Sequence, residues 1–325
     1  MRYLVTGGAG FIGSHLVDTL LRRGDSVTVL DDLSTGSALN LPRRKGIRRI
    51  YARAGDVNRL RLRDLDGIFH LGMPSSSPMY RERPELVGRT VSEAVSLLEF
   101  ARRNDCRVVV ASTSSLYSGN DPPHREDMPV HVADWYTEAR YCVERLAQLY
   151  HNFYGMRTCC LRLFLVYGPR EEGKGRYANL VSQFIWAMRR GEGPVIYGDG
   201  SQTRDFVYVG DVVDAFLRAM DSDTAGVFNV GTGVETSFNE VVRMLNEELG
   251  TSIKPEYADS PVNNYVFRTC ADTGRAEGVL GFSAKVTLRE GIRRTAGYCG
   301  GRAVGLLPTQ CPPPLLRFSW SPMVE

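Results

Sequence analysis

Residues Gly7-Gly8-Ala9-Gly10-Phe11-Ile12-Gly13 can hold a phosphate without any charged side chain. Their spacing puts a glycine at every third position of a strand-to-helix turn. Gly7 permits the bend, Gly10 lets the backbone approach a pyrophosphate, and Gly13 lets the following helix pack closely on the strand. The first backbone N–H groups of that helix, around Phe11 and Ile12, carry the partial positive charge of a helix N-terminus. Asp31 and Asp32 follow a second apolar run, at about the 20-residue spacing where a carboxylate accepts hydrogen bonds from an adenosine ribose and repels a 2′-phosphate. The combination predicts bound NAD rather than NADP. Asp56 and Val57, after a third run, are expected beside the adenine, and Leu71, ending a fourth, on the same cofactor surface.

A turn of this kind needs a strand before it, a helix after it and parallel neighbours. Short β-branched and aliphatic runs at 3–6, 26–30, 49–53, 67–71, 107–112 and 158–164 alternate with helical patterns at 14–23, 86–104 and 135–154. This alternation predicts an α/β fold, a Rossmann-type doubly wound parallel sheet. After Tyr167-Gly168-Pro169 the composition turns loop-rich, with helices expected at 178–190, 209–220 and 237–249, which reads as a smaller mixed α/β substrate lobe. The expected organisation is a dinucleotide-binding domain over 1–168, with later segments returning to it, and a substrate lobe over 169–299. A disordered tail is expected over 300–325, where Pro308, Pro312, Pro313 and Pro314 interrupt any period.

With 325 residues and 43% hydrophobic content, the chain can bury one large core and one smaller one. Its 40 basic and 37 acidic side chains leave a formal charge of +3, read as too small and too evenly spread to imply nucleic acid or a membrane. Seven cysteines show neither a C-x-x-C pair nor a cluster with histidine, so reduced thiols, no metal and a cytoplasmic setting are expected. Met1 leads at once into a strand pattern rather than a signal peptide, and no apolar run approaches the roughly 20 residues of a membrane span.

Further blocks carry a resemblance. TGGAGFIGSHL at the start, ASTSSLY at 111–117, YTEAR at 136–140, LRLFLVYGPR at 161–170, YGDGSQTRDFVYVGDVV at 197–213 and FNVGTG at 228–233 make residues 1 to about 293 resemble the nucleotide-sugar epimerase/dehydratase family, extended short-chain dehydrogenase/reductases. The resemblance implies that Thr113 polarises the sugar oxygen and that Tyr136 is the acid/base. It places Arg140 where family members carry a lysine one helical turn after that tyrosine. A second Tyr-x-x-x-Arg pair, Tyr141 and Arg145, fits less well, because family helices carry an acid four residues after the basic one and Glu144 follows Arg140. The resemblance also implies that Asn179, Leu180, Tyr197 and Arg204 bind the nucleotide, and that two subunits pair through helices 86–104 and 135–154. Arg268 is offered for a phosphate contact that the family makes where this chain has Val262-Asn263-Asn264-Tyr265; Leu165 replaces a family asparagine. Local alternatives are a Thr113 hydroxyl that caps a strand end, a Tyr136 ring that packs at a helix start, and an Arg204 that pairs with Asp205.

Oxidising a sugar alcohol needs a base for the hydroxyl proton while the nicotinamide takes a hydride, and re-reduction from the other face inverts the carbon. Positive charge near a tyrosine favours its ionised form. Family dehydratases place Asp and Glu directly after the threonine and decarboxylases keep a Glu, whereas Ser114 and Ser115 stand here. The expected reaction is therefore epimerisation, and the resemblance implies C4 of a UDP-hexose as its place. A dehydrogenase, reductase or dehydratase of the same family, or a catalytically weak NAD-binding protein, stays as the alternative.

Overall fold

The computed structural model describes residues 1–259 and 266–300. Both the 262–265 stretch and the tail beyond residue 300 lie outside the described residues.

The elements run β1 (Arg2–Thr6), α1 (Phe11–Arg22), β2 (Ser26–Leu30), β3 (Ile47–Ile50), β4 (Gly67–His70), α2 (Ser77–Glu82), α3 (Leu86–Arg103), β5 (Arg107–Thr113), α4 (Trp135–Tyr154), β6 (Thr158–Leu163), β7 (Leu165–Tyr167), α5 (Leu180–Arg189), β8 (Val195–Tyr197), β9 (Thr203–Tyr208), α6 (Val209–Asp221), β10 (Gly226–Val230), β11 (Glu235–Ser237), α7 (Phe238–Leu249), β12 (Glu256–Ala258), α8 (Gly274–Leu280) and α9 (Leu288–Gly300). Seven strands form the main sheet in the order β10-β6-β5-β4-β1-β2-β3, and every pairing in it is parallel. The order reverses around β1, so the strands wind outward in both directions from a central switch point, as in a Rossmann fold.

Two elements depart from the expected bounds for local reasons. Helix α1 begins at Phe11 rather than residue 14, because its N-cap is Gly10 and no side chain caps it. Strand β3 spans Ile47–Ile50 rather than 49–53, since the chain turns at Arg53 into a short 3-10 segment, Ala54–Arg59, where Asp56 folds back onto the Arg53 N–H. Helix α4 matches its expected bounds and is capped at both ends: the Asp134 carboxylate accepts from the Thr137 N–H at 2.9 Å, and Gly155 closes it with a left-handed φ of 66°.

Among the described residues the apolar side chains of α5 and α7 form no cluster apart from that of the main sheet. Val181, Phe184 and Ile185 of α5 and Val241 of α7 belong to the same apolar cluster as Val5, Leu16 and Val29 around the main sheet. The cluster is continuous because β10 enters the sheet beside β6 and α6 packs on α1. No described helix is long and apolar enough to cross a membrane.

Candidate active site

The C-terminal ends of β1, β2, β4 and β5 open into a cleft of about 490 Å³. At one end lies the glycine turn. Gly7 has a φ of 68°, and a Cβ on Gly13 would stand 2.1 Å from the Gly7 carbonyl oxygen, so both positions demand glycine. The Asp31 carboxylate braces the turn, accepting from the Ala9 and Leu33 N–H groups at 2.8 Å each. Burial pushes its pKa up against the pull of those hydrogen bonds. Burial acts likewise on Asp32, but hydrogen bonds from Ser34 and Arg89 prevail and hold its carboxyl below the usual range. Uncapped N–H groups at the start of α1 suit a pyrophosphate, and paired carboxylates at the end of β2 suit ribose hydroxyls and disfavour a 2′-phosphate. The residues present fit NAD. Gly7, Gly10, Phe11, Ile12, Gly13, Asp31, Asp32 and Leu71 all line the cleft.

At the other end Thr113, Tyr136, Arg140, Asn179 and Arg204 line the same cleft. Tyr136 sits in the first turn of α4, and its ring packs on Tyr80 with centroids 5.7 Å apart. One turn on, the buried Arg140 guanidinium stands 5.2 Å from the Tyr136 ring centroid. Its Nη1 donates to the Ala111 carbonyl at 3.0 Å and meets Met73 Sδ at 3.1 Å, while Nη2 donates to the Pro74 carbonyl at 2.9 Å. The fork thus clamps the chain after β4 to β5, a geometry that a planar guanidinium provides and a single ammonium does not. Tyr141 and Arg145 stack on each other at 5.8 Å outside the cleft, and Arg145 is exposed. Glu144 instead turns inward: it takes two hydrogen bonds from buried Arg162, at 3.1 and 2.8 Å, and one from Ser112, tying α4 to β6 and β5. The Thr113 hydroxyl both faces the cleft and caps the turn after β5, accepting from the Ser115 N–H at 3.1 Å.

With this geometry in place, comparison with known proteins is decisive on kinship. Residues 3–231 match the NAD dependent epimerase/dehydratase family. The chain belongs to that family. It is 39% identical to UDP-glucose 4-epimerase of Mycolicibacterium smegmatis, over 92% of this chain and 98% of that one. It is also 34% identical to UDP-glucuronic acid decarboxylase 1 of Arabidopsis thaliana, over 90% of this chain and 68% of the relative. Among solved structures, UDP-glucose 4-epimerase from Thermotoga maritima, determined with UDP-glucose, superposes with a TM-score of 0.88 at 34% identity, covering 93% of this chain and 99% of that one. As a family member the protein is an NAD-dependent enzyme of nucleotide-sugar epimerase/dehydratase type.

Several residues singled out in the sequence stand away from the cleft of this family member. Asp56 caps its own turn and Val57 is buried under α3; Arg53 and Ala54 line the cleft in their place. Leu180 packs against the core, and the Tyr197 carbonyl accepts from Gln202 at the end of β8. Arg268 is held by Glu235 through two hydrogen bonds of 2.9 and 2.6 Å. Arg204 does reach the cleft, with its guanidinium on the carbonyls of Thr203, Val266 and Phe267, whereas Asp205 accepts from Thr232, Gly233 and Ala271. Asn179 donates to the Val166 carbonyl. Arg89 and Lys174 went unnoticed in the sequence. Arg89 bridges Asp32 and Glu93 at 2.9 and 2.8 Å, and Lys174 lies 5.7 Å from the Phe11 ring. The four-residue spacing of Arg89 and Glu93 on one helix signals their pair, whereas nothing near Arg89 or Lys174 in the chain signals the contacts with Asp32 and Phe11.

Proposed function

We propose that the protein epimerises a nucleotide sugar, at C4 of a UDP-hexose, by oxidation to a keto sugar and re-reduction. One observation carries this choice within the family. The acidic residues lining the cleft are Asp31, Asp32 and Glu93, all at the adenosine end, while around Thr113 and Tyr136 the described lining offers no carboxylate but the hydroxyls of Ser112, Ser114, Ser115 and Tyr117, and a His124 whose ring nitrogens are turned to the Cys270 and Asn120 carbonyls. Eliminating water or assisting decarboxylation calls for an acid or base there, and simple oxidation and re-reduction calls for one proton carrier.

In this reading Tyr136 takes the hydroxyl proton of the sugar and returns it, and Thr113 hydrogen-bonds the same oxygen. Arg140, one turn on, holds the chain beside the Tyr136 ring through the Ala111 and Pro74 carbonyls. Bound NAD supplies the hydride acceptor and donor, held by the Gly7–Gly13 turn, Asp31 and Asp32. Asn179 and Arg204 face the nucleotide diphosphate. We further propose a homodimer through α3 and α4, supported by exposed Trp135, Leu149 and Phe153 along α4.

The test is to incubate the purified protein with UDP-, GDP- and dTDP-sugars without added cofactor and follow products by NMR. Interconversion of UDP-glucose and UDP-galactose is the expected result. Turnover only on addition of NAD(H) would instead indicate a dehydrogenase or reductase.

A further inference from the structure

The formal charge of +3 hides a concentration: residues 43–63 carry nine basic side chains and one acidic, and the rest of the chain is net −5. That segment is the loop into β3, the strand itself and the return toward β4, and β3 is the outermost strand of the main sheet. Arg43, Arg44 and Lys45 of the loop and Arg48 of the strand are exposed and form no ion pair among the described residues, whereas Arg61 and Arg63, also exposed, follow a turn that packs on α3. Elsewhere on the surface arginines are mostly neutralised at short range, as Arg293 and Arg294 are by Glu290. Two large apolar side chains stand exposed on either side of the strand in the chain, Leu39 in a turn whose Ser37 and Asn40 bond the Ala9 carbonyl. Leu39, at the tip of that short turn, is 81% exposed, and Tyr51, directly after the strand, is 59% exposed. The Leu39 N–H is held by the Ser37 hydroxyl, which fixes the tip.

A charged strand edge also prevents sheet-to-sheet pairing, but one or two lysines or arginines achieve that. Unneutralised cations around a bare leucine and an interfacial tyrosine match an anionic lipid surface: the cations meet headgroups, the leucine enters the acyl boundary and the tyrosine sits at headgroup level. Nucleic acid calls for a helix or ribbon to enter a groove, or for a row of stacking aromatics, and this edge has neither. We propose that the β3 edge docks the protein peripherally on membranes rich in anionic lipid, with Leu39 seated among the acyl chains. Thr113 ends β5, with β4, β1 and β2 between it and β3 in the sheet, so docking at β3 leaves the sugar end of the cleft open.

The experiment is sedimentation of the full chain with vesicles of phosphatidylcholine mixed with phosphatidylserine, against phosphatidylcholine alone, at low and high salt. Binding only to the mixed vesicles, weakened by salt, is expected. The triple variant Arg43→Gln, Arg44→Gln, Lys45→Gln should bind on the order of a hundredfold more weakly, at roughly fivefold per charge, and Leu39→Ser roughly tenfold more weakly. Unchanged NAD content and melting temperature in both variants would show that the fold is intact. Equal sedimentation with both vesicle types, wild-type binding by the triple variant, or binding to duplex DNA but not to vesicles would each overturn the proposal.

Discussion

Arg140 joins the chain after β4 to β5 through two carbonyls while standing against the Tyr136 ring. Its charge and its fork therefore serve different ends and should separate on mutation. Arg140→Lys keeps the charge and loses the fork, so turnover should stay within about tenfold of wild type. Its unfolding free energy should fall by about 1–3 kcal/mol, because one buried carbonyl loses its donor. Denaturant titration beside the NMR assay distinguishes the two effects. Tyr136→Phe should reduce turnover by on the order of a hundredfold to ten-thousandfold while NAD is retained, which is read from the cofactor released on denaturation.

The elements hold this site through one buried ion pair and one glycine contact. Glu144→Ala would strand the Arg162 guanidinium, buried and 4.8 Å from the Tyr117 ring, and loosen α4 from β5 and β6. Removing one partner of such a pair costs about 3–5 kcal/mol, so a large drop in melting temperature is expected. At the other end, Gly13→Ala drives a methyl group into the Gly7 carbonyl and should displace the turn against α1. The protein would then purify without NAD, as its absorbance spectrum would show.

For the whole molecule, two histidines set an acid limit. Burial and the nearby Arg140 hold His70 down to about 3, with its Nδ1 2.8 Å from the Thr6 hydroxyl. Burial lowers His15 to about 4 against the hydrogen bond between its Nε2 and the Pro169 carbonyl. Both stay neutral in the folded state at pH values where the unfolded chain binds protons, so their stabilising contribution is complete above about pH 6.5 and is lost as pH falls toward 4. The expected slope is about 1.4 kcal/mol per pH unit for each histidine, measured by denaturant titration across that window; a His15→Gln variant should show a shallower slope. A dimer through α4 predicts sedimentation at twice the 36.2 kDa chain mass, and Leu149→Glu with Phe153→Glu should give a folded monomer.

The glycine turn, the strand–helix alternation and the helix over 135–154 were all legible in the sequence, because each depends on backbone conformation and side-chain periods among near neighbours. The preference for Tyr136 over Tyr141 rested on the family resemblance, in which an acid stands four residues after the basic one, and the structure puts Tyr136 rather than Tyr141 in the cleft lining. Only the tertiary structure decided that Arg89 reaches Asp32, that Arg268 is held by Glu235, and that α5 and α7 share a core with the main sheet. Those pairings join residues tens of positions apart, and which of them meet depends on which strands lie side by side. A count of charges likewise gave only their sum, and the structure puts Arg48 on the outermost strand of the main sheet with Arg43, Arg44 and Lys45 exposed just before it.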